Sequence, residues 1–472
     1  MSRPDLSTSP RAIWQLAWPQ MLMMYLVFIM GLITVWVAGQ ISADVQAALG
    51  MVTQCTMLLM VIVMAMSSGA LAAVSQSLGA QRLDRAQRYV SITVLGSFGL
   101  GFIMAAAGWL LADPILLLLR VPERILPLAR DFWNVVMLTL PAQYVYAATG
   151  VMFRATRQVI PPLWVAALLC ALTLTGCLGF GLGWFGLPAY GAHGILWTNF
   201  AAQLTGALCN CLLLRRSDYL HRHAVPDRRW LRVGLPYLLR VALPAGAAQI
   251  VWQSGYLMLF VLVASVPLES IAALAGLTAG LRVEAILFMP GMAFNMTAGV
   301  LVGNCLGAGD PQRARRIACN LTAIAAAAMS LVALCLWPFR QDIAALMTQD
   351  TATQAQIVAY LEFNLLSTPF SIASTVMGGV MNGAGATRYN LMIFGGGLWL
   401  VRLPLGWLLG HQLWGTASGI FAAMLISQIV QAICMLHVVL HRNWTRFAMH
   451  AHKFPTGAAH PAAPAEPAET KG

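Results

Sequence analysis

The sequence predicts an all-α integral membrane protein with twelve transmembrane helices in two parallel six-helix lobes. Three observations predict it. Hydrophobic residues make up 59% of the 472 positions and charged residues 9%, against roughly 25% charged in a soluble domain. Most stretches between charge clusters are apolar runs, many longer than the ~18–20 residues that cross a bilayer as helix. The first half also recurs in the second. Ser77-Leu78-Gly79-Ala80, then Arg85-Ala86-Gln87-Arg88, returns as Cys305-Leu306-Gly307-Ala308, then Arg313-Ala314-Arg315-Arg316, 228 residues on. Pro141 with Gly150-Val151-Met152 matches Pro369 with Gly379-Val380-Met381, and Gly194-Ile195 with Gln203 matches Gly419-Ile420 with Gln428.

The elements follow in order. A short polar N-terminus without the features of a cleavable signal leads into a first span at 13–39. The second span, 47–78, is longer than a bilayer needs, so its end projects into water or tilts. Spans at 89–112, 128–152, 159–184 and 190–214 complete a first lobe over 1–214. The polar stretch 215–235 reads as the inter-lobe linker. The second lobe, 236–446, carries spans at 236–265, 270–307, 317–338, 356–382, 391–410 and 413–440. Pro19, Pro141, Pro244, Pro290 and Pro369 lie inside spans, where neighbouring helices satisfy the freed backbone groups and the helix bends. The last segment, 447–472, is rich in Ala, Pro, His and Glu without apolar periodicity and reads as a disordered tail. Its His450, His452 and His460 fit a solvated tail better than a metal site.

Arginine supplies the orientation. With the N-terminus in the cytoplasm, 22 of the 28 Lys and Arg fall on the cytoplasmic side, as the positive-inside rule requires. Four (Arg120, Arg124, Arg130, Arg340) fall opposite and two, Arg282 and Arg402, fall within spans. One missed helix would scramble this split, so it supports the count of twelve. The net charge of +12 is then topology rather than a nucleic-acid footprint. Six spans per half make the repeats parallel, an arrangement found in transporters. The chain is expected in a bacterial inner membrane, both termini cytoplasmic, as a monomer whose partners are the lipid bilayer and small-molecule substrates.

The nine cysteines lie in spans or at their ends, where Cys acts as a small hydrophobe. Packing likewise accounts for most of the 25 methionines. No His-Glu-x-x-His motif or nucleophile–base pair points to an enzyme, and no cofactor is expected.

Intramembrane charge carries the functional signal. An ionisable residue at mid-bilayer costs at least ~2.5–3.5 kcal/mol and tends to face the protein interior or a wet cavity. Three lie well inside spans: Arg282, Glu284 and Arg402. Glu284 is the acid at such depth, and low dielectric disfavours its charged form. It is therefore the candidate ion-coupling residue, exchanging a proton, holding Na⁺ nearby or attracting a cationic substrate. A structural ion pair with Arg282 or Arg402 is the competing reading, although residues i and i+2 share no helix face. Glu284 and Arg282 shifted back by 228 land on Thr56 and Gln54, so the first lobe holds an uncharged version of the site. Gln249, Gln253 and Asn295 are further cavity candidates, each equally able to tie helices together.

These residues resemble those of the multidrug and toxic-compound extrusion (MATE) family, prokaryotic type. The diagnostic stretches are Leu281-Arg282-Val283-Glu284-Ala285-Ile286-Leu287-Phe288-Met289-Pro290-Gly291, Val302-Gly303-Asn304-Cys305-Leu306-Gly307-Ala308-Gly309-Asp310, Gly383-Ala384-Gly385-Ala386-Thr387-Arg388 and Trp399-Leu400-Val401-Arg402-Leu403-Pro404. The resemblance implies two lobes forming a V around a central cavity. It also implies efflux of bulky, often cationic or amphipathic compounds in exchange for H⁺ or Na⁺. In one economical scheme, neutralising Glu284 removes its attraction for a cationic substrate.

Departures accompany the likeness. Acids that many relatives carry in the first and fifth helices correspond to Thr34 and Thr175. A seventh-helix acid falls near Trp252, and the acid opening the loop after the tenth helix is Ala386. Thr34 joins the candidates on this ground. Two alternatives stand beside efflux. A flippase for a lipid-linked precursor would use Arg282 and Arg402. A major facilitator has the same helix count, but the Gly79–Arg88 loop lacks its motif spacing.

Overall fold

The computed structural model describes residues 10–118, 121–220, 226–267 and 270–449. Their regular structure is helical: α1 Pro10–Ile41, α2 Ala43–Gly79, α3 Leu83–Leu110, α4 Ala112–Leu118, α5 Leu126–Ala155, α6 Ile160–Gly176, α7 Ala192–Arg216, α8 Arg228–Ala264, α9 Ser270–Gly307, α10 Pro311–Leu336, α11 Arg340–Met347, α12 Thr351–Ala384, α13 Thr387–Gly396, α14 Leu403–Trp407 and α15 Ala417–His441. A π-helical turn, Cys177–Gly181, prolongs α6. Two more, Gly397–Arg402 and Leu408–Leu413, join α13 and α14 into one rod over 387–413. With α4 and α11 as short appendages, the described residues form twelve membrane-length rods. Ten are also apolar enough to cross a bilayer by composition; α7 and α12 are as long but more polar.

Helices α2, α10 and α12 begin before the predicted spans, each at a polar residue that caps it outside the apolar stretch. Ser42 Oγ accepts from Val45 N at 3.2 Å to start α2, and Asp310 Oδ1 accepts from Arg313 N at 2.9 Å to start α10. Both caps satisfy amides that a helix start leaves free. Helix α8 begins at Arg228 rather than 236, inside the stretch read as linker. The C-terminus is ordered past 447: a 3₁₀ turn spans Trp444–Phe447, and the Met449 amide donates to Gln76 Oε1 at 2.7 Å. The rest of the segment read as a disordered tail, with its three histidines, lies outside the described residues.

The repeat is visible in the packing. In the first lobe α2 packs on α5, α3 on α5, α5 on α7 and α1 on α6. In the second, α9 packs on α12, α10 on α12, α12 on α15 and α8 on α13. The lobes meet through α2 with α8 and α9, and through α1 with α9. The start of each lobe's first helix is buried in the other lobe: Ile13 and Ala17 with the second, Leu238 and Ala242 with the first.

The two lobes form a V that closes where the arginine-rich loops 79–88 and 308–316 lie. A Cβ on Gly79 would strike the Asn304 backbone, and one on Gly307 would strike that of Gln76. Buried Gln76 donates from Nε2 to Gly383 O at 2.8 Å and accepts from Tyr237 Oη at 3.2 Å. Further along, Gln20 Nε2 donates to Thr297 Oγ1 at 3.1 Å and Tyr25 Oη to Ile286 O at 3.2 Å. Toward the other end Met57 and Leu58 of α2 and Leu257 and Val261 of α8 are exposed.

Candidate functional site

Helix α9 brings Gly276, Gly280 and Glu284 to one face, four residues apart, against α12. The small residues decide how close that face comes. A Cβ on Gly280 would enter the ring of Tyr360, and one on Gly276 would meet Gln356. Tyr360 therefore lies against bare helix backbone, with its hydroxyl donating to Glu284 Oε2. Asn364, one turn further along α12, bonds the same carboxylate. Ser367 donates to the Asn364 carbonyl at 2.8 Å. Phe421 of α15 meets Tyr360 edge-on, ring centres 5.2 Å apart.

Glu284, Tyr360 and Asn364 border a cavity of about 10 Å³ with Phe363, Ser367, Met424 and Gln428 among its walls. That is room for about one water, not for an organic molecule.

Arg402 stands behind this cavity. It ends the first π turn of the eleventh rod and has no exposed surface. Its Nε donates to Ser427 Oγ of α15 at 2.8 Å. The guanidinium carbon lies 5.8 Å from the ring centres of both Trp252 and Tyr256 on α8, within reach of a cation–π attraction. The guanidinium also hydrogen-bonds the Tyr256 hydroxyl. Arg402 acts electrostatically on Glu284, Tyr360 and Tyr256, yet among the described residues no carboxylate pairs with it. The expected alternative of an ion pair between Glu284 and Arg402 is thus not formed.

The other candidates are scattered. Arg282 is exposed on α9, away from the face that carries Glu284. Asn295 Nδ2 donates to Thr375 O at 2.6 Å, tying α9 to α12. Gln249 is exposed and Gln253 half-buried on α8, and neither lines the Glu284 cavity. In the first lobe Gln54 is exposed, while buried Thr56 bonds Val52 O of its own helix at 2.8 Å. Thr34 likewise bonds Met30 O at 2.9 Å, and exposed Thr175 bonds Ala171 O at 2.8 Å. Tyr360, Tyr256, Ser427 and Gln428 were not singled out from the sequence as site residues. One signal was available: Phe132 and Val136 occupy the places of Tyr360 and Asn364 at the 228-residue offset. At these offset positions the first lobe has neither the carboxylate nor either of its partners.

The sequence profile of the MatE family matches residues 19–177 and 244–408, one stretch in each lobe. The chain belongs to the MatE family. As a MatE protein it is a membrane transporter of the multidrug efflux family. It is similar over 93% of its length to the uncharacterized transporter YisQ of Bacillus subtilis, at 20% identity and 96% coverage of that protein. It is 25% identical to the multidrug resistance protein PmpM of Pseudomonas aeruginosa, over 74% of this chain and 73% of that one. Among solved structures, the Vibrio cholerae MATE transporter VcmN in its bent form superposes with a TM-score of 0.83 at 19% identity, covering 93% of this chain and 98% of that one. A structure described as the outward-facing conformation of a multidrug resistance MATE family transporter gives 0.83 at 16%, covering 95% and 99%. These structural likenesses establish the two-lobe fold.

Proposed function

We propose that this MatE transporter is a secondary active antiporter that exports organic, cationic or amphipathic compounds in exchange for H⁺ or Na⁺, with Glu284 as its ion-responsive residue. The observation that carries this reading is the Glu284 carboxylate, deep in α9 and held by Tyr360 and Asn364 of α12 beside a cavity of about 10 Å³. A group so placed changes its charge when a small ion arrives, and its partners sit on a different helix. Neutralising it weakens the link between α9 and α12. Because α9 and α12 both also touch α2 of the first lobe, that change reaches the lobe interface. The ion does work only if its affinity differs between the two orientations of the lobes.

The V open opposite its arginine-rich end corresponds, in a bacterial inner membrane with cytoplasmic termini, to an outward-facing state. The multidrug names of relatives such as PmpM support an organic substrate. The flippase alternative uses Arg282 and Arg402 together; Arg402 is enclosed by Trp252, Tyr256 and Ser427, which leaves the exposed Arg282 alone to meet a headgroup. Efflux is therefore favoured.

The test is dye flux in reconstituted vesicles with ΔpH and ΔNa⁺ imposed separately. One of the gradients drives efflux of cationic dyes, and Glu284→Gln inserts normally but loses the drive. Gradient-driven efflux by Glu284→Gln at the unsubstituted rate would overturn the assignment.

A further inference from the structure

The seam between α6 and α7 is grooved where both helices reach the arginine-rich side of the protein. The groove holds about 520 Å³, within the ~300–1,000 Å³ of small-molecule sites. Trp164 and Leu168 of α6 and Cys209 and Leu212 of α7 are among its walls, and Arg216 stands at its mouth. The buried residues Leu163, Ala166 and Thr173 mark the other side of α6. Helices α6 and α7 otherwise pack on α1 and α5 of their own lobe. The groove therefore opens on the lipid-facing surface, where Trp164 is 71% and Leu212 59% exposed.

Depth, charge and polarity together describe an occupant. From Arg216 to Cys209 is about 10 Å of helix, and from the start of α6 to Leu168 about 12 Å, at 1.5 Å per residue. That is most of the ~15 Å hydrocarbon depth of one leaflet. Trp164 sits one turn inside, at the level where indole rings gather in membrane interfaces. The start of α6 and the end of α7 lie together at the mouth, so their opposite dipole ends offset and the guanidinium sets the sign. Among the described residues Arg216 makes no hydrogen bond or ion pair. No acid lines the groove among the described residues, so nothing there would hold the ammonium of a zwitterionic headgroup. A second groove, of about 440 Å³, follows the same seam toward the other end; Leu172, Phe180 and Thr205 are among its walls, and no charged residue is among those described. The seam thus offers apolar space in both leaflets and a fixed charge in one.

We infer that the groove at Arg216 is a binding site for an anionic phospholipid of the adjoining leaflet. One acyl chain lies along Trp164, Leu168 and Cys209, and the phosphate takes the planar fork of the Arg216 guanidinium. The site lies outside the ion and substrate path, and the inference does not depend on the antiport reading.

The test is native mass spectrometry of the full-length protein with phosphatidylglycerol and phosphatidylcholine of identical chains. Phosphatidylglycerol binds about fivefold more tightly, the effect of one basic residue near an anionic headgroup, and Arg216→Gln brings the two lipids level. Arg215→Gln removes the same charge one residue away, outside the groove walls, and keeps the preference. Folded Cys209→Trp, which narrows the space for the chain, weakens both lipids alike. Glycerol phosphate without acyl chains does not compete. Equal binding of the two lipids by the unsubstituted protein overturns the inference, and so does a preference that survives Arg216→Gln. Loss of the preference in Arg215→Gln would make it a property of the whole basic surface and overturn the groove. Competition by glycerol phosphate at the lipid's own concentration would assign the site to a free phosphate compound instead.

Discussion

Gly79 of α2 and Asn304 of α9 meet backbone to backbone, with no space for a Cβ between them. Gly307 and Gln76 make the same contact from the other side, each residue 228 positions from its counterpart. The pseudo-two-fold axis of the repeat therefore runs through the closed end of the V. Side chains inserted there act as wedges. Overpacking a tight contact costs about 1–3 kcal/mol, so Gly79→Val or Gly307→Val favours the opposite orientation by roughly tenfold. Spin labels at Arg82 and Arg313 in a cysteine-free background report this as a longer distance population. An unchanged distance distribution in both variants would remove the closed end from the switching mechanism.

Gln76 and the C-terminal segment form a second fastening at the same end. One carboxamide serves three partners: Gly383 O at 2.8 Å, Tyr237 Oη at 3.2 Å and Met449 N at 2.7 Å. Phe447 stacks edge-on with Tyr389 at 6.0 Å and lies 5.5 Å from the Arg240 guanidinium, while Trp444 is wholly buried. Gln76→Leu leaves buried polar groups unbonded, at about 1–3 kcal/mol each. A lower melting temperature is expected, together with faster hydrogen exchange at Met449 and Gly385. Truncation after Asn443 reproduces part of the effect. A melting curve unaffected by both changes contradicts the fastening.

The sequence made the twelve rods legible because lipid imposes a coarse, long-range rule: apolar length and arginine sidedness. It made Glu284 legible because a deep carboxylate is rare. It did not reveal Tyr360, whose part depends on Gly280 of another helix clearing space for its ring. Nor did it reveal how the π turn at Gly397–Arg402 and the docking of Arg402 under Trp252 would place that cation. A π turn is stabilised by what inserts around it rather than by its own residues. The C-terminal fastening escaped notice because six residues have no periodicity to read, although Trp444 and Phe447 were visible as aromatics in an otherwise polar stretch.

The Glu284 site yields a prediction about a residue with no polar atom in its side chain. Gly280→Ala pushes the Tyr360 ring away from α9, separating its hydroxyl from Glu284 while leaving both residues in place. Gradient-driven dye efflux should fall about tenfold, the effect of one lost charge-assisted hydrogen bond. Tyr360→Phe should fall comparably, and the double variant little further, because both remove the same bond. Fully additive losses in vesicle flux would show that Gly280 acts elsewhere.

Outside the membrane, Asp350 caps α12 and supplies a pH dependence whose sign is fixed. Its carboxylate accepts from Thr353 N at 3.0 Å and from the Thr353 hydroxyl at 2.5 Å. The Thr353 hydroxyl and then its amide hold the Asp350 carboxyl below the usual carboxylate range. A group so depressed contributes stability that is complete above the unfolded carboxyl pKa of about 3.9. That contribution is lost only as the pH falls through the lower folded value. Hydrogen exchange in the first turn of α12 should therefore keep its protection from neutrality to about pH 5 and lose it in strong acid. Asp350→Ala should lack that protection throughout. Protection that already declines between pH 7 and 5 would refute the cap.

The two lobes share a backbone and divide the chemistry, and the first lobe can be tested for silence. Thr56 and Thr34 stand where a charge would make the repeat symmetric or complete a family site, yet each hydroxyl bonds a carbonyl of its own helix. Such bonds satisfy the hydroxyl locally and leave nothing to release when an ion arrives. Phe132, in the place of Tyr360 at the 228-residue offset, is buried and has no group to donate. Thr56→Val and Thr34→Val should accordingly keep gradient-driven efflux within about twofold, since each removes one local bond worth about 1 kcal/mol or less. Glu284→Gln should lose it. A Thr34→Val variant that loses ion-driven flux while remaining folded would return an ion-sensing role to the first lobe, and with it a second site for coupling.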